Sequence, residues 1–347
     1  MRFGLGPFAA ESYGGIGWTE AYEIMGDAVC FAENAGFDSA WVTERYFSQD
    51  GYCPSAFVAA ANLAAKTEAI RIGVMPILGL THPLYVAEDA AVLDNLSAGR
   101  AIVVPINAVA HELAAYGVSE ADYVRRFTES LDVLFSAWSA RPFSFHGEHW
   151  TIPAQMEGHV ENRTGTITAT PKPSQFELPL WIGGFWAAGR EIAARQGLPM
   201  VLGAITDNAA LSDLWSTYDA NAAPRGRTAP RVLIRDVYVS TGADPSSEVA
   251  DMLSRQFARY DEWGLWSGDA SDFDALAAGR FIIGNPEQVI EQVTALDAEV
   301  GIDHLICRMH FPGMPLSQLL GSMQLFAREV IPEFRLPDLP RQIRVGV

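Results

Sequence analysis

Glu44, Arg45 and Tyr46 stand side by side directly after the apolar run Ser39–Thr43. A carboxyl, a permanently charged guanidinium and a phenol delivered to one place make an acid/base or anion-orienting cluster. The same residues also read as an ion pair that pins a loop. Arg45 offers a fork of donors to an anion or a developing oxyanion but cannot act as a base at neutral pH, so proton abstraction falls to Glu44 or Tyr46. In Gly73–Ile77, proline ends strand pairing and sets Met75 and Pro76 on the floor of a pocket, or simply stops the strand. Asn107 is the first polar side chain after the run Ala101–Ile106 and either hydrogen-bonds a ligand or caps a loop.

Gly183 and Gly184 precede a helical pattern, where free amides and the helix dipole favour an anion. The next residues, Phe185 and Trp186, crowd a phosphate but suit stacking on a flat ring. His146, His149 and His159 invite a zinc reading, yet no cysteine or clear carboxylate completes the set, so no metal is expected. His111-Glu112 lacks the second histidine of a metalloprotease helix, and no GxSxG, Walker A or GxGxxG motif is present.

Short apolar runs must position these residues, and they alternate with helical patterns. Strands are predicted at Phe3–Gly6, Ser39–Thr43, Ile70–Met75, Ala101–Ile106, Leu180–Ile182, Met200–Leu202, Arg231–Val239 and His304–Met309. Helices are predicted between them, among them Thr19–Ala35 with Gly36 at its end, Pro54–Lys66, Leu84–Leu96, Ser119–Ala140, Ala187–Gln196 and Asn285–Val300. Eight strands in βα rhythm predict parallel pairing and a closed (β/α)8 TIM barrel. Residues 1–347 read as one domain with irregular insertions at about 141–178 and 264–281. Ligands of such a barrel bind at the carboxyl ends of its strands, where Glu44, Arg45, Tyr46, Met75, Asn107, Gly184, Phe185 and Trp186 fall.

Composition narrows the partners. Of 347 residues, 49% are hydrophobic and 19% charged, enough for a large core and too apolar for disorder. A net charge of −18 repels nucleic acid and anionic lipid. Cys30, Cys53 and Cys307 fit no metal spacing and read as buried free thiols in a reducing compartment. The start MRFGLGPFAAES does not read as a signal peptide, and no run of about 20 apolar residues exists, so a cytoplasmic protein is expected.

Three segments carry a family likeness. THPLYVAEDAAVLDNLSAGR (81–100), GFDSAWVTE (36–44) and GNPEQV (284–289), the last followed by Gly301–Leu305 and Phe326–Phe334, resemble the bacterial-luciferase-like flavin-dependent monooxygenase family across nearly the whole chain. The resemblance implies a luciferase-like barrel and a homodimer. It implies reduced FMN supplied by a separate NAD(P)H:flavin reductase, a flavin C4a-peroxide, and insertion of one oxygen atom into a small organic substrate. It also implies a cis peptide near the end of the third strand, expected at Met75-Pro76. Related proteins use F420 for hydride transfer. This chain departs from the pattern where the flavin phosphate is held. Asn107 takes the approximate place of an arginine, and Phe185, Trp186 and Ala187 replace small hydroxyl residues. Arg45-Tyr46 replaces a histidine pair. Losing one charge-assisted phosphate contact costs roughly 1.5–3 kcal/mol, so FMN is expected to be weak or displaced. A flavin-free barrel that binds or converts a hydrophobic small molecule is the first alternative, and an F420-dependent oxidoreductase the second.

Overall fold

A computed structural model describes residues 1–154, 165–222 and 229–335. His159 of the zinc reading lies outside them. Among the described residues the strands are β1 (Arg2–Phe8), β2 (Ser39–Thr43), β3 (Arg71–Met75), β4 (Ala101–Val103), β5 (Phe145–His146), β6 (Thr151–Ile152), β7 (Ile182–Gly183), β8 (Met200–Leu202), β9 (Val232–Val239), β10 (Phe281–Gly284) and β11 (His304–Arg308). The main sheet runs β4-β3-β2-β1-β11-β9-β8-β7, parallel throughout. A bridge from Val103 to Leu180 joins its two ends. The Val103 amide donates to the Pro179 carbonyl at 2.9 Å, and the Trp181 amide donates to the Val103 carbonyl at 2.9 Å. The ring therefore closes, as the eight-strand rhythm predicts, and its strands are buried on both faces.

The eight predicted strands are the eight of the ring. A ninth, β10, pairs only with the carboxyl half of β9, and the sequence reading had left it at the edge of an irregular segment. The first insertion contains the expected short hairpin, β5 and β6. A short helix, Ala110–Ala115, was not expected. Among the described residues no helix is long and apolar enough to cross a membrane. All three cysteines are free; Cys53 and Cys307 are buried, but Cys30 is only half-buried on the outer helix Trp18–Ala35.

Met75-Pro76 is not cis, contrary to expectation; the cis bonds are Gly6-Pro7, Ile152-Pro153 and Thr170-Pro171. The chain does not turn at Pro76. The Met75 carbonyl accepts from the Glu44 amide, the Pro76 carbonyl from the Ile106 amide, and Ile77 bridges Ile106, so β3 pairs onward in an extended trans path.

Arg100, the last residue of the 81–100 motif, has a structural task. Its guanidinium donates to the carbonyls of Ala64, Thr67 and Ile70, satisfying the end of helix Ala56–Lys66 and the turn into β3.

The lower barrel is plugged by Trp41, which is fully buried. Its indole N–H donates to Ser39 Oγ at 2.7 Å, and Ser39 Oγ lies 2.9 Å from His304 Nε2. Trp181 packs 5.4 Å from the Trp41 ring. Burial, then Arg2 and Arg71, lowers His304 to about 3, so the imidazole is neutral. Glycine is required at position 73, where a Cβ would fall 1.9 Å from the Trp41 ring. Trp41→Ala removes the plug; we expect a loss of about 3–5 kcal/mol in urea unfolding at unchanged pH.

Candidate active site

β1, β2, β3, β8, β9 and β11 deliver their carboxyl ends to a cavity of about 550 Å³, its opening to solvent included. Its walls are apolar at Met75, Phe185, Ile234 and Leu265 and polar at Thr43, Arg45, Tyr52, Tyr260 and Arg308. Of the residues singled out from sequence, Arg45, Met75 and Phe185 line this cavity directly.

The Glu44-Arg45-Tyr46 cluster separates by direction. Glu44 Oε2 accepts from the Ile77 amide at 2.8 Å and Oε1 from the Ala56 amide at 3.2 Å. It braces the exit of β3 against the start of helix Ala56–Lys66. Burial pushes its carboxyl up to about 7; the two amides and the Tyr46 hydroxyl pull it down, and Glu112 pushes it up. Arg45 Nη1 donates to the Asn107 carbonyl at 2.8 Å, and the same nitrogen lies 3.8 Å from Glu112. Glu112, fully buried, accepts from the amides of Tyr46 and Val109, both at 2.8 Å. Tyr46 packs at the rim on Phe47 and Tyr116, and burial with neighbouring Glu44 keeps its phenol protonated.

The glycine pair differs from its expected role. The Gly183 amide donates to the Pro105 carbonyl at 3.0 Å and the Gly184 amide to the Val201 carbonyl at 2.8 Å. The first closes the ring on the β4 side and the second pairs with β8, so neither amide is free for an anion. The Phe185 ring lies over Gly203, where a Cβ would come within 2.9 Å. Trp186 folds over the first turn of helix Ala187–Gln196; a Cβ on Gly189 would meet its indole nitrogen at 2.2 Å. Its ring packs 5.7 Å from Tyr123 and 5.4 Å from Phe127. Asn107 Nδ2 donates to the Ala108 carbonyl at 3.1 Å, while Oδ1 is buried without a partner. Pro76 stays in the strand pathway described above.

Several groups escaped the sequence reading. Arg308, at the end of β11, grips Asp236 through Nε–Oδ1 at 2.5 Å and Nη2–Oδ2 at 2.7 Å, and its Nη1 donates to the Tyr260 hydroxyl. Burial is outweighed by Asp236, which holds Arg308 charged. Arg259 pairs with Glu11 at 2.6 Å and with Asp50. Arg235 donates to the Gly203 carbonyl and to Asn208 Oδ1, pinning the loop after β8 that walls the cavity. A single cation inside the apolar run HLICRMHF was the available signal for Arg308. Among the described residues, Asp122, Glu148 and His149 have metal-ligand spacing, so carboxylates do approach His149. The two carboxylates are exposed and engaged by Ser119 and Arg125, and no metal role is assigned.

A closed parallel barrel with a mixed polar and apolar cavity at its strand ends defines an enzyme of the (β/α)8 class. The sequence model for luciferase-like monooxygenases matches residues 5–304, and the chain belongs to that family. It is 23% identical to the alkanal monooxygenase alpha chain of Aliivibrio fischeri, over 97% of this chain and 100% of that one. The monooxygenase RslO1 from Streptomyces bottropensis superposes with a TM-score of 0.85 at 22% identity, covering 96% of this chain and 100% of that one. The oxygenating constituent of 3,6-diketocamphane monooxygenase from Pseudomonas putida, solved with FMN, gives 0.77 at 19%, covering 97% and 100%. An F420-dependent secondary alcohol dehydrogenase gives 0.72 at 18%, covering 96% and 99%. At these identities the structural matches speak for the fold alone.

Glu44 and Glu11 are both raised to about 7 by burial, from 4.5. The folded state therefore holds protons that the unfolded chain has released, and stability falls as pH rises from about 4.5 to about 7. Each group contributes on the order of 3 kcal/mol at most. Glu44→Gln is expected to flatten part of that fall, measured by urea unfolding at pH 5 and pH 8. An equal slope in both proteins would contradict the assignment.

Proposed function

We propose that this chain is the oxygenase component of a two-part system: a reduced flavin arrives from a separate NAD(P)H-dependent reductase, and one oxygen atom enters a small organic substrate. The observation that carries this reading is the cavity itself, set at the strand ends of a luciferase-like barrel and lined by Phe185, Met75, Ile234 and Arg45. Its donor set suits a flat heteroaromatic ring: aromatic and aliphatic walls, with a guanidinium and tyrosine hydroxyls at the edge. A flavin ring therefore fits. The phosphate of FMN does not, because the glycine amides are spent and Trp186 covers the helix start. A bound reduced flavin would supply the two electrons that activate dioxygen, one atom going to substrate and the other leaving as water.

The chain's own residues do the rest. Met75, Phe185, Ile234 and Leu265 exclude water from the reacting atoms. Arg45 orients an oxygen of the substrate and stabilises negative charge developing there, while Glu112 balances its charge from behind. The Tyr46 hydroxyl stays protonated and donates a hydrogen bond to Glu44, whose carboxyl, near 7, is the group that can take up or release a proton there. The test is rapid mixing of protein and reduced flavin with dioxygen. Reoxidation is expected to be slower than for free flavin and to release less hydrogen peroxide. Reoxidation at the free-flavin rate with saturating protein would sink the reading and favour the flavin-free barrel, which the covered helix start supports. Oxidation of an alcohol with reduction of F420 would favour the F420 reading.

A homodimer belongs to the same proposal. Helix Pro83–Leu96 exposes Tyr85, Val92 and Leu96 on one face, and the neighbouring helix exposes Val58. Light scattering at micromolar concentration is expected to give twice the chain mass, and Leu96→Glu to return the monomer.

A further inference from the structure

We infer that Tyr260, oriented by Tyr52 and polarised by Arg308, donates the hydrogen bond that holds a carbonyl-type oxygen of the substrate; this rests on the oxygenase reading above. Tyr52, Tyr260 and Arg308 all line the cavity. Arg308 Nη1 donates to the Tyr260 hydroxyl oxygen, and Tyr52 directs its own hydroxyl to the same oxygen. A phenol oxygen accepts at most two hydrogen bonds, and these two donors fill it. Its proton is left to find an acceptor elsewhere, and among the described residues no protein group takes it. The lining side chains hold no carboxylate, carboxamide or imidazole to receive it.

The donor is fixed in place. Tyr260 stands near the end of helix Pro245–Glu262, its ring 5.5 Å from that of Phe257 and 6.1 Å from that of Trp263. The Arg308 guanidinium lies 5.3 Å from the ring centre and is itself held by Asp236, so little rearranges when a ligand arrives. Burial raises the phenol above its usual range, Asp236 and Glu11 add to that, and Arg308 offsets only part of it. Tyr260 therefore donates across the neutral range and cannot serve as a base. Both guanidiniums of the cavity wall are matched, Arg308 by Asp236 and Arg45 by Glu112, so a neutral acceptor suits the site. A hydroxyl would need an acceptor for its own proton, whereas a carbonyl needs only the donor.

The probes are α-tetralone, a flat ketone, and tetralin, the same skeleton without the oxygen, bound to the whole chain by equilibrium dialysis. Tyr260→Phe is expected to weaken tetralone about tenfold, one hydrogen bond, and to leave tetralin within about twofold. Equal losses for both probes mean a packing role and overturn the inference, as does a wild type that does not bind tetralone at millimolar concentration. The infrared carbonyl stretch of tetralone on the wild type is expected below its position in heptane; an unshifted band overturns the inference even if Tyr260→Phe fails to fold. Tyr52→Phe leaves the Arg308 contact in place and is expected to weaken tetralone about twofold; a loss larger than that of Tyr260→Phe overturns the choice of donor. Lumiflavin, the flavin ring without its side chain, is expected to bind wild type and Tyr260→Phe alike. A loss for lumiflavin with tetralone unmoved places the contact on the flavin and overturns the inference. No arm contains reduced flavin or dioxygen, so failure here leaves the oxygenase reading to its own test, and failure there leaves Tyr260 as the ligand contact of a flavin-free barrel.

Discussion

Two hydrogen bonds to Val103 turn a curled sheet into a closed ring. Its amide and carbonyl engage Pro179 and Trp181, and the next rung is the Gly183 amide on the Pro105 carbonyl. Without this seam β4 and β7 are sheet edges with unpaired backbone, a state that costs free energy in any buried setting. With it, every strand of the ring has a ring neighbour on each side, and the loops after β4 and β7 emerge side by side. The Ala108 amide and the Trp186 ring meet at Tyr123 for that reason. The seam also uses the Gly183 amide, and the β7–β8 pairing uses that of Gly184, so strand pairing and anion binding compete for the same donors.

The mouth shows a second constraint, the handling of buried charge. A guanidinium out of water is costly unless a carboxylate and further acceptors meet it. Arg308 has all three nitrogens engaged, by Asp236 and Tyr260, and is rigid. Arg45 has one nitrogen on a backbone carbonyl and a carboxylate at 3.8 Å, so its charge is balanced while part of its fork still faces the cavity. The first arginine holds the wall; the second is left with donors for a ligand.

The ring strands were legible because each is a short apolar run bounded by turn residues. The four residues of β10 were not, since Phe281–Gly284 has the same look as a buried turn and gains its identity only from pairing with β9. Arg45 and Phe185 were found by position at a strand end, which the barrel fixes. Glu112 was missed because its task depends on where Tyr46 and Val109 bring their amides, which no spacing encodes. Gly183 and Gly184 were misread as free donors for a similar reason: whether an amide is free is a property of its neighbours. The bond at Met75-Pro76 was misjudged because the family resemblance placed a cis peptide near this strand end, while Ile106 continues the pairing past a trans proline.

The indole of Trp41, with Trp181 and His304, closes the barrel from beneath. The cavity lies toward the other ends of the strands, so a ligand reaches it from the carboxyl-end side of the ring. On the flavin reading, depth would become order: a group seated against the buried Met75 and Ile234 would arrive before a ligand lying outside it and depart after it. Saturating the chain with the outer ligand before the inner one then blocks traffic, a queue imposed by architecture and not by affinity.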